Sequence, residues 1–98
     1  MKRITAKELN QKLTSGEEVN IIDVREDNEV AEGKIPGAKH IPLGELEERL
    51  DEIDKDQHHY VTCNAGRRGS KASGILSLKG YDVTNMEDGM SKWEGKTE

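Results

Sequence analysis

The one cysteine of the chain, Cys63, stands in the stretch HHYVTCNAGRRGSKA, residues 58–72. An apolar-leaning run leads into it, and Gly66, Arg67, Arg68 and Gly69 follow within six positions. A thiol with these neighbours could act as a nucleophile towards an anion. The physical reason lies in the backbone. If Tyr60 to Thr62 is a strand and Ser70 onward a helix, then Cys63 to Gly69 is a strand-to-helix turn, and the first turn of a helix leaves its N–H donors unpaired. Glycine permits the curvature such a turn needs. Converging N–H groups form an anion-binding nest, to which the helix dipole adds partial positive charge. A thiol held there gives up its proton more readily. Arg67, Arg68 and Lys71 place three cations within eight residues of the sulfur, a local concentration on a chain of net charge −5. The alternative is a small buried hydrophobe, the usual state of a free cysteine.

Which elements would hold that turn in place? Thr5 and Glu8 form a T-x-x-E capping box ahead of Leu9 and Leu13, which predicts a short helix ending near Ser15-Gly16. VNIIDV, residues 19–24, reads as a strand, and its adjacent Ile21 and Ile22 predict burial on both faces, as in a parallel sheet. REDNEVAEGKIPGA reads as a polar connection with turn signals at Gly33 and Pro36-Gly37. KHI offers a short strand, broken by Pro42. Leu43, Leu46, Leu50 and Ile53 then recur at spacings of three and four, predicting one face of a helix. HHYVTC is the next strand, GSKASGILSLKG a helix stopped by Gly80, YDVTNM a last strand and MSKWE a terminal helical turn. KRI at the start is too short to assign alone. Strands alternating with helices predict an α/β fold with a mostly parallel sheet. Ligands of such sheets sit beyond the carboxyl ends of the strands, which is where Cys63 falls.

Bulk properties set the bounds. Ninety-eight residues predict a single domain over 1–98. There is no Phe, and Leu, Ile and Val together make just under a fifth of the chain, so its core must be economical. The acidic balance argues against nucleic acid and anionic membranes as partners. One cysteine cannot form an intramolecular disulfide, no apolar segment follows the basic start MKRITAKELN, and no run is long enough to cross a bilayer. A cytoplasmic monomer is the expectation.

CNAGRRG resembles the active-site loop of the rhodanese-like sulfurtransferases, C-R-x-G-x-R or -T after a buried strand. The resemblance extends to IIDVRE, similar to the family's strand ending in D-V-R, and to EVAEGKIPGAKHIPLGEL, similar to E-[YF]-x-x-G-H-I-P-G-A-x-x-I-P. LSLKGYDVTNMEDGMSKW is similar to its closing strand, Gly-Gly, helix and Trp. These segments cover nearly the whole chain in order. The departures are Asn64 for a frequent Arg, Lys34 for His, Val30 for an aromatic residue, Asp88 for the first Gly of the closing pair and Gly69 for Ser.

The resemblance implies a three-layer fold with a central, mostly parallel five-stranded sheet flanked by helices, and no cofactor or metal. It implies a reaction in which Cys63 takes sulfane sulfur from a small anionic donor such as thiosulfate and passes it to a thiol or cyanide. The amides of Asn64, Ala65, Gly66, Arg67, Arg68 and Gly69 would then form the anion cradle. Arg68 would be the main contact for substrate charge and Arg67 the second, and an arginine at 68 favours thiosulfate over mercaptopyruvate. Two other readings remain. Cysteine phosphatases and arsenate reductases of this fold place five residues between Cys and Arg, whereas four separate Cys63 from Arg68. The fold also serves as a non-catalytic binding or regulatory domain, usually without the cysteine.

Elsewhere the residues predict structural roles. Asp23 and Arg25 would make polar contacts at the sheet edge, with Glu29 a candidate partner for Arg25. Adjacent His58 and His59 would point to opposite faces of a strand, which argues against a metal set with Cys63. His40 would be an ordinary polar residue near a strand end, and Trp93 a packing anchor.

Overall fold

The computed structural model describes residues 2–98. Five strands form one sheet: β1 (Lys2–Ile4), β2 (Asn20–Asp23), β3 (Lys39–His40), β4 (His58–Thr62) and β5 (Asp82–Met86). Their order is β1-β5-β4-β2-β3, and every pairing is parallel. The central strand is β4, flanked by β5 and β2, so the segment that delivers Cys63 is shielded by neighbours on both sides.

Parallel strands need helical crossovers, and these cover the two faces. Helix α1 (Ala6–Thr14) lies on one face, where Ala6 and Leu9 join Ile4, Ile21, Ile35, Ala38 and Met86 in a buried cluster. Helix α3 (Arg67–Leu78) covers the other, with Ala72 and Leu76 packed among Ile22, Val24, Ile41, Leu46, Val61 and Val83. Ile21 and Ile22 enter opposite clusters, the two-sided burial their adjacency predicts. The capping box of α1 is present in both directions: Thr5 Oγ1 accepts from Glu8 N at 3.1 Å, and Glu8 Oε1 accepts from Thr5 N at 3.0 Å.

Two segments differ from the sequence expectation. Residues 43–53 do not form an α-helix but two 3₁₀ stretches, Leu43–Glu45 and Glu47–Glu52, closed by i→i+3 bonds such as Leu46 N to Leu43 O. Leu43 and Leu46, and again Leu50 and Ile53, are three apart, the repeat at which 3₁₀ side chains eclipse. The four-residue step between the pairs coincides with Arg49, whose φ of −116° leaves helical geometry. The polar connection after β2 holds a single helical turn, α2 (Asp27–Val30), closed by a box between Glu26 and Glu29. Among the described residues, no helix is long and apolar enough to cross a membrane.

Candidate active site

At the carboxyl end of β4 the chain passes through Cys63 and turns into α3, which begins at Arg67, three residues earlier than Ser70. Gly66 is the N-cap, with φ at +92°. A Cβ there would strain the backbone and would stand 1.9 Å from the carbonyl oxygen of Glu87. Only glycine lets the loop nest against the turn after β5. That turn is itself tied to the loop: Met90 N donates to Cys63 O at 2.7 Å and Ser91 N to Asn64 O at 2.9 Å. Gly89, with φ at +69°, makes this closeness possible, since a Cβ on it would lie 2.3 Å from Asn64 O.

The sulfur completes the cap. Gly66 has no side chain to accept from the orphan donors of α3, and Cys63 Sγ takes that role, accepting from Gly66 N at 3.0 Å and Gly69 N at 3.1 Å. Cys63 is 1 % exposed, so these two N–H groups act on the sulfur away from bulk water. Both direct main-chain N–H dipoles at it. The main-chain N–H groups of Asn64, Ala65, Arg67 and Arg68 donate to no other described residue. They are donors left over for an anion carried beyond Sγ, the arrangement of a nest.

The three cations differ in state. Arg67 and Lys71 are exposed and form no ion pair among the described residues. Arg68 is half-buried and engaged: its Nη1 and Nη2 donate to the two carboxylate oxygens of Glu29 at 2.5 and 2.8 Å. Those bonds are the main reason the Glu29 carboxyl is held down at about 2. The Glu29 carboxylate therefore serves Arg68, and not Arg25 as the sequence suggested; Arg25 reaches only its main-chain oxygen, at 3.4 Å. Arg25 forks instead onto Asp23, its Nε and Nη2 donating at 3.1 and 2.9 Å, and its Nη2 also reaches Gly33 O. Asp23 is fully buried, so this pair fixes the end of β2 beside the loop. His40 Nε2 meets Arg25 O at 2.6 Å, on the same strut.

Sequence reasoning passed over Asn85, beneath the loop, and noted Asp88, beside it, only as a departure from the glycine pair. Asn85, 4 % exposed on β5, lies against Gly69: a Cβ on that glycine would come 2.5 Å from Asn85 Oδ1. That oxygen has no hydrogen-bond partner among the described residues. Asn85 therefore fills the space a side chain at 69 would take, which accounts for glycine inside a helix. The Asp88 Oδ1 accepts from Ala6 N at 2.7 Å, capping α1 and bracing the closing turn. Of the motif's glycine pair, the structure needs glycine only at Gly89. Lys34 likewise has a local use, its ammonium bonding Ala38 O and the Glu98 carboxylate.

The remaining candidates lie elsewhere. His58 bonds Asp82 and Thr84 near the amino end of the sheet, while His59 is buried on the other side of β4 and kept below its ordinary value by desolvation. No group of three or more potential metal ligands occurs among the described residues. A cavity of about 640 Å³ beside α1 is lined by Leu13, Pro36 and Trp93 and contains none of the loop residues.

The likeness to known proteins covers this whole arrangement. The rhodanese-like domain profile matches residues 5–96. YtwF of Bacillus subtilis is 41 % identical over 97 residues, which span 99 % of this chain and 94 % of that protein. The sulfurtransferase of Allochromatium vinosum is 34 % identical over 91 residues, covering 92 % and 85 % of the two chains. The crystal structure of a rhodanese-like domain protein from Staphylococcus aureus superposes with a TM-score of 0.94 at 39 % identity, over 100 % of this chain and 97 % of that one. With a parallel five-stranded sheet, a cysteine at the end of its central strand and this match from end to end, the chain belongs to the rhodanese-like domain family.

Proposed function

We propose that the protein is a sulfurtransferase that carries sulfane sulfur on Cys63, taking it from an anionic donor such as thiosulfate and delivering it to a thiol or cyanide. The observation that carries this reading is the pair of main-chain N–H groups on a buried sulfur, with four further loop amides left unpaired around it. In the first half-reaction the Cys63 thiolate attacks the outer sulfur of thiosulfate. The S–S bond of the donor breaks, sulfite leaves with the bonding pair, and a persulfide anion remains on Cys63. In the second, cyanide or a thiolate attacks the outer sulfur and restores the Cys63 thiolate. Each step moves one sulfur atom and conserves charge. The persulfide carries its charge one atom beyond Sγ, where the free amides of the loop can stabilise it without reorganisation.

Loop length favours sulfur over phosphate as the transferred group. Four residues between Cys63 and Arg68 make a narrow cradle, and the arginine that a phosphoryl group would use is held by Glu29.

The test is the intact mass of the protein after incubation with thiosulfate. A gain of one sulfur atom, removed by a thiol reductant and absent in Cys63→Ala, is expected. No gain with any sulfane donor would sink the reading, and hydrolysis of an aryl phosphate lost in Cys63→Ser would replace it with the phosphatase.

A further inference from the structure

Arg68 is the loop's best-placed cation, yet its charge is matched. Both terminal nitrogens fork onto Glu29, and this pair is only about a third exposed at Arg68 and a quarter at Glu29. Glu29 is itself fixed, because its Oε1 also accepts from Glu26 N at 3.0 Å in the box that closes α2. Its carboxyl is held down at about 2, so it is ionised at neutral pH, and Glu26 adds further negative charge towards Arg68. The unpaired cations, Arg67 and Lys71, are exposed to solvent, where salt screens them. Close to the sulfur, then, the attraction for anions comes from neutral N–H groups and a neutralised ion pair.

Such a site suits a singly charged sulfur better than a dianion. Thiosulfate brings two negative charges to a thiolate and releases sulfite, another dianion, so it needs a free cation at that point. A thiol persulfide brings at most one at its reacting end and releases a thiolate.

Resting on the sulfurtransferase reading above, we propose that Glu29 is a specificity-determining residue: by claiming Arg68 it makes the persulfide of a thiol, rather than thiosulfate, the preferred sulfur donor. The step is Cys63–S⁻ plus R–S–SH giving Cys63–S–SH plus R–S⁻. The donor's S–S bond breaks, a new S–S bond forms on Cys63, and the leaving thiolate takes the electron pair. No external oxidant or reductant enters. Glu29 touches neither donor nor sulfur in this scheme; it acts through Arg68 and is a positioning residue.

The experiment compares the whole chain and Glu29→Gln with two probes, cysteine persulfide and thiosulfate, under one acceptor. For the unmodified protein, kcat/KM for cysteine persulfide should exceed that for thiosulfate at least about tenfold. In Glu29→Gln the ratio should move roughly fivefold towards thiosulfate, through a lower KM, as Arg68 is freed. That gain should shrink with added salt, a response that mere loosening of the loop would not produce. A preference for thiosulfate in the unmodified protein overturns the proposal, even if Glu29→Gln fails to fold. So does a variant whose ratio is unchanged or shifts further from thiosulfate. These outcomes leave the sulfurtransferase reading standing if either probe adds one sulfur to Cys63. If neither does, that reading falls and takes this one with it.

Discussion

The two ends of the sheet both gather polar and charged side chains, but they hold them differently. At the amino end, His58 Nδ1 meets Asp82 at 2.7 Å, His58 Nε2 meets Thr84 Oγ1 at 2.8 Å, and Lys2 bonds the other Asp82 oxygen at 2.6 Å. The partners in this group are side chains, and Lys2 and Asp82 are more than half exposed. At the carboxyl end the sulfur is buried and its partners are main-chain N–H groups. The contrast follows from topology. Strands that run in parallel all end on one side, and each crossover helix then starts there with unpaired donors. Side chains at the amino end meet each other or a carbonyl, as Asn20 does at His58 O, while those at the carboxyl end meet a backbone with donors to spare. Chemistry belongs to the second kind of end.

The largest way to test this contrast is to remove the sulfur. Cys63→Ala should lower sulfur transfer by at least about a thousandfold, read as thiocyanate formation. Its fold should persist, checked by far-UV circular dichroism, because alanine still fits the small cluster beside Val61 and Ala72. Next comes the backbone that carries the donors. Gly66→Ala places a Cβ 1.9 Å from Glu87 O at a φ of +92°, so unfolding free energy should drop by about 2–4 kcal/mol, measured in urea. Loss of transfer without loss of stability would mean that the strain is local and the glycine serves only catalysis.

How far could this have been read from the residues alone? The strands announce themselves where burial is two-sided, as at Ile21-Ile22, and the start of α1 is written in Thr5 and Glu8. The loop is legible because its parts are contiguous: Cys63, Gly66 and Gly69 lie within seven positions, so their geometry follows from one turn. What stays hidden is whatever the crossovers bring together. Glu29 lies 39 residues before Arg68, and Asp88 lies 82 residues after Ala6. The sequence marks Glu29 as a partner for nearby Arg25, and nothing in the local pattern points it to Arg68 instead. The 3₁₀ segments are a different failure: steps of three and four fit an α-helix as well, and only the break at Arg49 decides.

Two finer tests address the hidden contacts. Gly69→Ala would gain helix propensity but press a Cβ to 2.5 Å from Asn85 Oδ1. A net loss of about 1–3 kcal/mol is expected. Combined with Asn85→Ala the loss should be smaller than the sum of the two, a coupling measurable by a double-mutant cycle. The Glu29–Arg68 pair has a pH signature. Glu29 is held at about 2 in the fold, below its ordinary 4.5, so its contribution is fully present above about pH 5. It is lost as the pH falls through the folded value. The stability gap between the unmodified protein and Glu29→Gln should thus be level at neutral pH and close on acidification towards pH 2. A gap that persisted at the lowest pH would mean that packing of the side chain, not its charge, holds the pair.

The smallest effect is expected at the opposite end of the sheet, and its smallness is informative. His58→Asn and Asp82→Asn dismantle a group whose hydrogen bonds, read on their own, resemble a relay from carboxylate through imidazole to hydroxyl. Lys2, followed by His58, holds the Asp82 carboxyl below its ordinary value, so both variants remove a charge interaction that is largely solvated. Melting temperature should move by no more than a few degrees, and sulfur transfer should not move at all. If transfer did fall, the separation between the two ends would fail, because strands β4 and β5 would then be relaying a change from His58 and Asp82 to Cys63. The rigid pairing along those strands, from His58 with Asp82 to Val61 with Asn85, argues for the opposite result. A surface charge removed at one end leaves the register, and with it the loop, where it was.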